Sequence, residues 1–161
     1  MDIVPHFTPT ALGFEVSGGT IRVASHTVTF TAMPGSLGAI IEGYRIVYYD
    51  RLGNPINGDD STFYGRGALG VYIPNGVTCD ARVDNPNHQC RPGDAGFDYG
   101  PATASIVNLI TLDDPIVQIM LLNNQVGDRA QVFFNGRDSN LRPFVIGPFE
   151  IALAVPVASG N

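Results

Sequence analysis

An all-β chain folded as a two-sheet antiparallel sandwich is what this sequence predicts, and three observations carry the prediction. Apolar and polar residues alternate with period two along most of the length. Gly and Pro number 19 and 12 of 161 residues and follow no three-residue period, which excludes collagen and fits a chain dense in turns. Charged residues make up only 15%, too few for a disordered tail or a solvated helical rod.

Ile21 and Val23 alternate with Thr20 and Arg22, and Val28, Phe30 and Ala32 with Thr27, Thr29 and Thr31. Tyr44, Ile46 and Tyr48 share one face, opposite Arg45, Val47 and Tyr49. Leu69–Ile73, Ile106–Leu112, Ala130–Phe134 and Phe149–Val155 complete the set. Turn clusters separate them at Pro34-Gly35-Ser36, Leu52-Gly53-Asn54-Pro55, Asn57-Gly58-Asp59-Asp60, Pro74-Asn75-Gly76 and Asn135-Gly136. There Gly and Asn supply positive φ and Pro fixes the entry angle.

One run reads two ways. With Asp114 as N-cap and Pro115 at N1, a short helix near 114–124 would end before Gly127. β-branched content and the all-β surroundings favour instead a strand with Val117, Ile119 and Leu121 on one face. In either form the run must be buried or paired, because exposed it would aggregate. The length fits a single domain: an N-terminal tether or edge segment over 1–9, the sandwich over 10–157, and a frayed tail over 158–161.

All nine basic residues are Arg, twelve of the fifteen acids are Asp, and the net charge is −6. Dispersed cations in an acidic chain argue against nucleic acid, which needs a clustered basic face. The Asp residues fall in turns, where a carboxylate caps local backbone N–H groups. No run of about 18 apolar residues exists to span a membrane. Met1 to Pro5 lacks the basic start and apolar core of a signal peptide.

Cys79 and Cys90 flank a polar loop and read as a disulfide staple, worth about 3 kcal/mol by loop-entropy reasoning. Two separate thiols are the competing reading. Metal ligation ranks below both, because structural zinc wants four ligands and the thiols lack CxxC spacing. An oxidised pair implies export, in which case Met1 stands where a leader was removed.

Motifs that resemble chemistry are weak. Gly65-Arg66-Gly67-Ala68-Leu69-Gly70 spells GxGxxG, yet Val71–Pro74 continues as a strand, so no helix N-terminus faces a phosphate. His6, His26 and His88 show no HxH or HExxH spacing. The pairs Asp59/Asp60, Asp80/Asp84, Asp94/Asp98 and Asp113/Asp114 offer the hard oxygens that calcium takes, without an EF-hand loop. They read first as solvated turn acids, so no cofactor is expected and calcium is the exception to watch.

GxSxG is absent, Glu42 and Glu150 are too far apart in sequence to propose a carboxylate pair, and no N-glycosylation sequon occurs. Catalysis is therefore not expected. Tyr44, Tyr48, Tyr49, Tyr64 and Tyr72 are strand formers that pack across a sheet, and also candidates for a ligand or partner surface.

Ile41-Glu42-Gly43-Tyr44-Arg45-Ile46-Val47-Tyr48-Tyr49-Asp50, following Val28–Ala32, resembles a fibronectin type III or immunoglobulin-like module, whose third strand carries a GY-x-I-x-Y pattern. The resemblance covers about 30 residues, lacks the family's tryptophan, and implies an Ig/fibronectin-III-like sandwich with insertions at the cysteine loop and at Asp94–Pro101. Tyr48–Ile56 and Ile73–Cys79 are also similar in style to secreted or lipid-anchored envelope proteins of deinococcal-type bacteria, which implies a surface protein and assigns no residue.

The expectation is a non-catalytic, extracytoplasmic β-sandwich acting by protein–protein contact in a cell-envelope or surface assembly, with homo-oligomerisation open. A virion component such as a capsid decoration protein is the alternative, with reduced cysteines; a small-ligand or carbohydrate-binding module using the tyrosines is the third. The contact surface is expected at Tyr44, Tyr48 and Tyr49 and at Ile116, Ile119 and Leu121, since open sheet edges need covering.

Overall fold

Alternating β-branched and aromatic residues produce pleated ribbons with one apolar face, and the computed structural model of the chain is built from such ribbons. It describes residues 2–17, 20–23, 25–56, 66–109, 117, 120 and 127–154. Among these the strands are β1 (Ile3–Thr8), β2 (Ala11–Ser17), β3 (Thr20–Val23), β4 (His26–Ala32), β5 (Ala39–Asp50) and β6 (Arg66–Ile73). They continue as β7 (Val77–Thr78), β8 (Asp98–Tyr99), β9 (Ala102–Leu109), β10 (Gly127–Asp138) and β11 (Pro143–Ala154), with a single helical turn α1 (Ala81–Asp84) between β7 and β8.

The strands form a three-stranded sheet ordered β1-β4-β9, a six-stranded sheet ordered β3-β2-β11-β10-β5-β6, and the small ribbon β7-β8. The pairings are antiparallel, save that β11 runs parallel to β2. Side chains from both larger sheets meet in one core. Ile3, Val28 and Phe30 come from the smaller sheet, and Ile41, Ile46, Tyr48, Val132, Phe134 and Ile151 from the larger. The Phe30 ring stands edge-on to Phe134 at 4.9 Å between centroids, and Phe7 stacks on Phe134 at 6.1 Å. Each such side chain contributes roughly 1.5–3 kcal/mol by leaving water.

β4 follows its sequence alternation without a slip, every second residue from His26 to Ala32 being buried. β5 does not. Ala39, Ile41 and Gly43 point inward, then Ile46 and Tyr48, so the phase shifts by one residue near Gly43. Register irregularities lie at Ile41/Gly43 against β6 and at Asn135/Gly136 against β10. A Cβ at Gly43 would stand 2.9 Å from the Gly67 carbonyl oxygen, so the bulge needs a glycine there.

Within the segment 1–9, β1 is the edge strand of the smaller sheet, paired with β4 and burying Ile3. Pro5 is tolerated within it because an edge strand has one row of N–H groups to spare. β2, β7, β8 and α1 have no counterpart in the sequence reading. Of the run 113–124, only Val117 and Met120 are described; both are helical and buried, which answers the strand reading at those two positions in favour of a helix. Ile116, Ile119 and Leu121 lie outside the described residues, as do Asp59, Asp60, Tyr64, Gly65, Asp113 and Asp114.

Candidate functional site

The Cys79–Cys90 loop is closed by a disulfide, with 5.7 Å between Cα atoms, which sets aside the reading as two thiols. Its scaffold is the side chain of Arg82, on α1. The Arg82 guanidinium donates to the Asn75, Val77 and His88 carbonyls and to Asn75 Oδ1 at 2.6 Å, so one cation gathers both ends of the loop. Gln89 donates to the Tyr72 hydroxyl and fastens the loop to β6. The Asp80 N–H donates to the Ala95 carbonyl, and the Arg91 N–H to Asp94 Oδ2 at 2.7 Å.

His88 Nε2 lies 3.6 Å from Asp94 Oδ2. One nitrogen of His88, one oxygen of Asp94 and the sulfur of Cys79 all fall within 4.8 Å of one another. An open cleft of about 310 Å³ lined by His88, Gln89, Arg91 and Asp94 leads to them. With the sulfur bonded to Cys90, this group offers no thiolate to a metal.

The other turn acids do what turn chemistry asks. Asp50 Oδ1 accepts from the Leu52 and Asn54 N–H groups, and Asp138 Oδ1 from those of Asn140 and Arg142. The Asn54 N–H foremost holds the Asp50 carboxyl below the usual carboxylate range. Gly67 and Gly70 of the GxGxxG pattern sit on β6, a strand that runs on to Ile73, with no helix for a phosphate.

The tyrosine surface needs correction. Tyr48 is 1% exposed and belongs to the core, so it presents nothing to a partner. Tyr44 is half-buried against that core and closes over Gly67, whose missing side chain makes the room. Tyr49 faces outward but lies beneath the Arg129 guanidinium, 5.5 Å from its ring centroid.

Arg45 covers Phe133 in the same way at 4.6 Å, and both pairs are cross-strand neighbours of β5 and β10. Arg129 also lies 3.6 Å from Glu150, and Arg137 3.1 Å from Glu42. The outer face of β5 and β10 is therefore a ladder of arginines over aromatic rings and carboxylates. Beside it lies an open cleft of about 290 Å³ lined by Tyr44, Arg45, Phe133, Phe134, Asn135 and Val145.

A different surface gathers exposed apolar groups. Loop 33–38, the Asn75–Gly76 turn and the β10–β11 turn come together at one end of the strands. The Gly35 N–H donates to the Gly76 carbonyl at 2.7 Å, Gly76 N–H to Ser36 at 2.9 Å, and Ser139 N–H to Gly38 at 2.9 Å. A Cβ at Gly35 would touch the Tyr99 ring at 3.7 Å.

Met33, Leu37 and Leu141 stand exposed on these loops and Tyr99 on β8 beside them, Tyr99 at 67% and Leu141 at 73%. In sequence they fall in three separated stretches, the 33–38 loop, β8 and the β10–β11 turn, which strand pairing and the turn contacts bring to one end.

Compared with known proteins, the chain matches no family model and no curated protein.

Proposed function

We propose that this protein is a non-catalytic, extracytoplasmic β-sandwich that works by protein–protein contact in a cell-envelope or surface assembly. The observation that carries the reading is the end bearing Met33, Leu37 and Leu141, apolar side chains held out on loops that backbone hydrogen bonds fix to one another, with Tyr99 of β8 beside them. Fixed loops lose little entropy on binding, and a cluster of exposed apolar groups gains from being covered. The stapled loop adjoins this end through the β7–β8 ribbon, whose register pairs Val77 with Tyr99.

A disulfide belongs to an oxidising compartment, which supports the exported reading over the virion one with reduced cysteines. Among the described residues no helix is long and apolar enough to cross a membrane. The resemblance of Gly43–Tyr48 to a fibronectin type III strand stays part of the proposal, since that stretch is the middle of β5. A carbohydrate-binding reading loses support, because Tyr48 is core and Tyr49 is covered by Arg129.

The test is a double substitution, Tyr99→Asp with Leu141→Asp. Both side chains are exposed, so the variant folds like the parent by circular dichroism and fails to fractionate with the envelope of the producing cells. Fractionation equal to the parent's would overturn the proposal. Sedimentation of the purified parent separates self-association from binding of a different protein.

A further inference from the structure

The stapled loop and the Arg91–Asp94 turn that follows it carry four donor side chains, Cys79, Cys90, His88 and Asp94, and we infer that opening the disulfide turns them into a binding site for a divalent soft-to-borderline metal ion such as zinc. This goes beyond the contact function proposed above and does not depend on it. Cys79, His88 and Asp94 already offer donor atoms within 4.8 Å of one another, and the Cys90 sulfur is bonded to the Cys79 sulfur. Zinc–sulfur bonds of about 2.3 Å and zinc–nitrogen or –oxygen bonds of about 2.0–2.2 Å place tetrahedral donors roughly 3.3–3.8 Å apart. The Cys79, His88 and Asp94 donors must therefore close by up to about 1–1.5 Å and the two freed sulfurs must part to the same spacing, movements within reach of side-chain rotation.

The loop does not rely on the disulfide alone for its shape. Arg82 bonds to the Asn75, Val77 and His88 carbonyls, and the Asp80–Ala95 hydrogen bond and the Arg91–Asp94 turn hold the backbone on both sides. The Arg91 N–H on Asp94 Oδ2 is the kind of outer hydrogen bond that orients a ligating carboxylate. The cleft at His88, Gln89, Arg91 and Asp94 gives entry from solvent.

The chemistry balances. A phosphine supplies two electrons and water two protons, so the sulfur–sulfur bond becomes two thiols and the phosphine takes the water oxygen as its oxide; a dithiol supplies electrons and protons together and closes to its own disulfide. Metal binding then displaces both thiol protons to solvent and forms two sulfur–metal bonds beside the imidazole and carboxylate bonds. While the disulfide is closed the same loop binds no metal through sulfur, so its two states are mutually exclusive.

Cobalt(II) is the probe, since thiolate-to-cobalt charge transfer and tetrahedral d–d bands report the donor set directly. The full chain is reduced with a phosphine under argon and titrated with cobalt(II) alone; the oxidised chain is titrated in parallel. The expected result is one equivalent bound with both sets of bands in the reduced chain and neither in the oxidised chain. His88→Ala and Asp94→Ala, at half-exposed positions, each weaken cobalt binding by about tenfold or more, as loss even of a ligand's outer partner does. No charge-transfer band in the reduced chain, bands in the oxidised chain, or binding indifferent to either substitution would overturn the inference.

Discussion

The Nδ1–H of His26 donates to the Pro9 carbonyl at 2.6 Å, tying the first residue of β4 to the turn that follows β1. A carbonyl only accepts, so the proton sits on Nδ1 and Nε2 is left bare and buried, with no partner among the described residues. Phe7 packs its ring at 5.8 Å from the imidazole. Burial pushes the His26 pKa below its ordinary 6.5, the Pro9 hydrogen bond opposing in part.

Stability follows with a definite sign. Unfolded, His26 takes a proton near pH 6.5, while folded it takes one only at lower pH. The unfolded state thus binds more protons in that window, and stability, complete above pH 6.5, is lost progressively as pH falls toward the folded value. Urea midpoints measured from pH 7.5 down to pH 5 will fall. His26→Leu flattens that slope and, by leaving the Pro9 carbonyl unpaired, costs about 1–3 kcal/mol at pH 7.5.

The Phe30–Phe134 contact joins the two larger sheets, so its removal opens a cavity between them. Phe134→Ala is expected to destabilise the protein by about 3–5 kcal/mol in denaturant titration. Val145→Ala, on the exposed outer face, is expected to cost less than about 0.5 kcal/mol.

Glycine positions separate close approach from mere flexibility. A Cβ at Gly76 would collide with the Met33 carbonyl, whereas one at Gly70 meets nothing within 4 Å. Gly76→Ala is expected to cost about 2 kcal/mol or more, as overpacking does. Gly70→Ala, with room for its methyl, is expected to fall within about 1 kcal/mol of the parent and on the stabilising side.

The disulfide makes its own prediction. Intact mass rises by that of two hydrogens on reduction, both cysteines being bonded to each other. Cys90→Ala is expected to lower stability by about 3 kcal/mol. Two alkylatable thiols in the unreduced protein would contradict the structure.

The strands built on unbroken alternation were legible because each residue's side was set by its neighbours, as in β4. β5 was legible as a strand but not in its phase, since the shift at Gly43 depends on Gly67 and Asn135 of neighbouring strands. Pro5, Pro9 and Gly13 interrupt the pattern of β1 and β2, and one partner of β2, the strand β11, lies at the other end of the described chain. Val117 and Met120 show why the following run misled: three residues apart, both buried, they fit a helix, while β-branched neighbours argued for a strand.

The disulfide was legible from two cysteines around one polar loop. The arginine ladder over Phe133 and Tyr49 was not, because cross-strand register between β5 and β10 decides which ring each arginine meets. The apolar end was not legible either. Leu37 and Leu141 lie about a hundred residues apart and reach the same end through the β5–β10 pairing and the Ser139–Gly38 hydrogen bond that extends it.

The contact function is tested most directly by photo-crosslinking in the cells that make the protein, with a benzophenone side chain placed at Leu37, at Leu141 or at Leu52. Leu52 is the control: it is 87% exposed, and it follows the far end of β5, whereas Leu37 precedes its near end. A twelve-residue strand separates the two sites by roughly 35–40 Å. The account predicts the same protein crosslinked from Leu37 and Leu141 and none from Leu52. Equal crosslinking from all three positions, or none from Leu37 and Leu141, would contradict it.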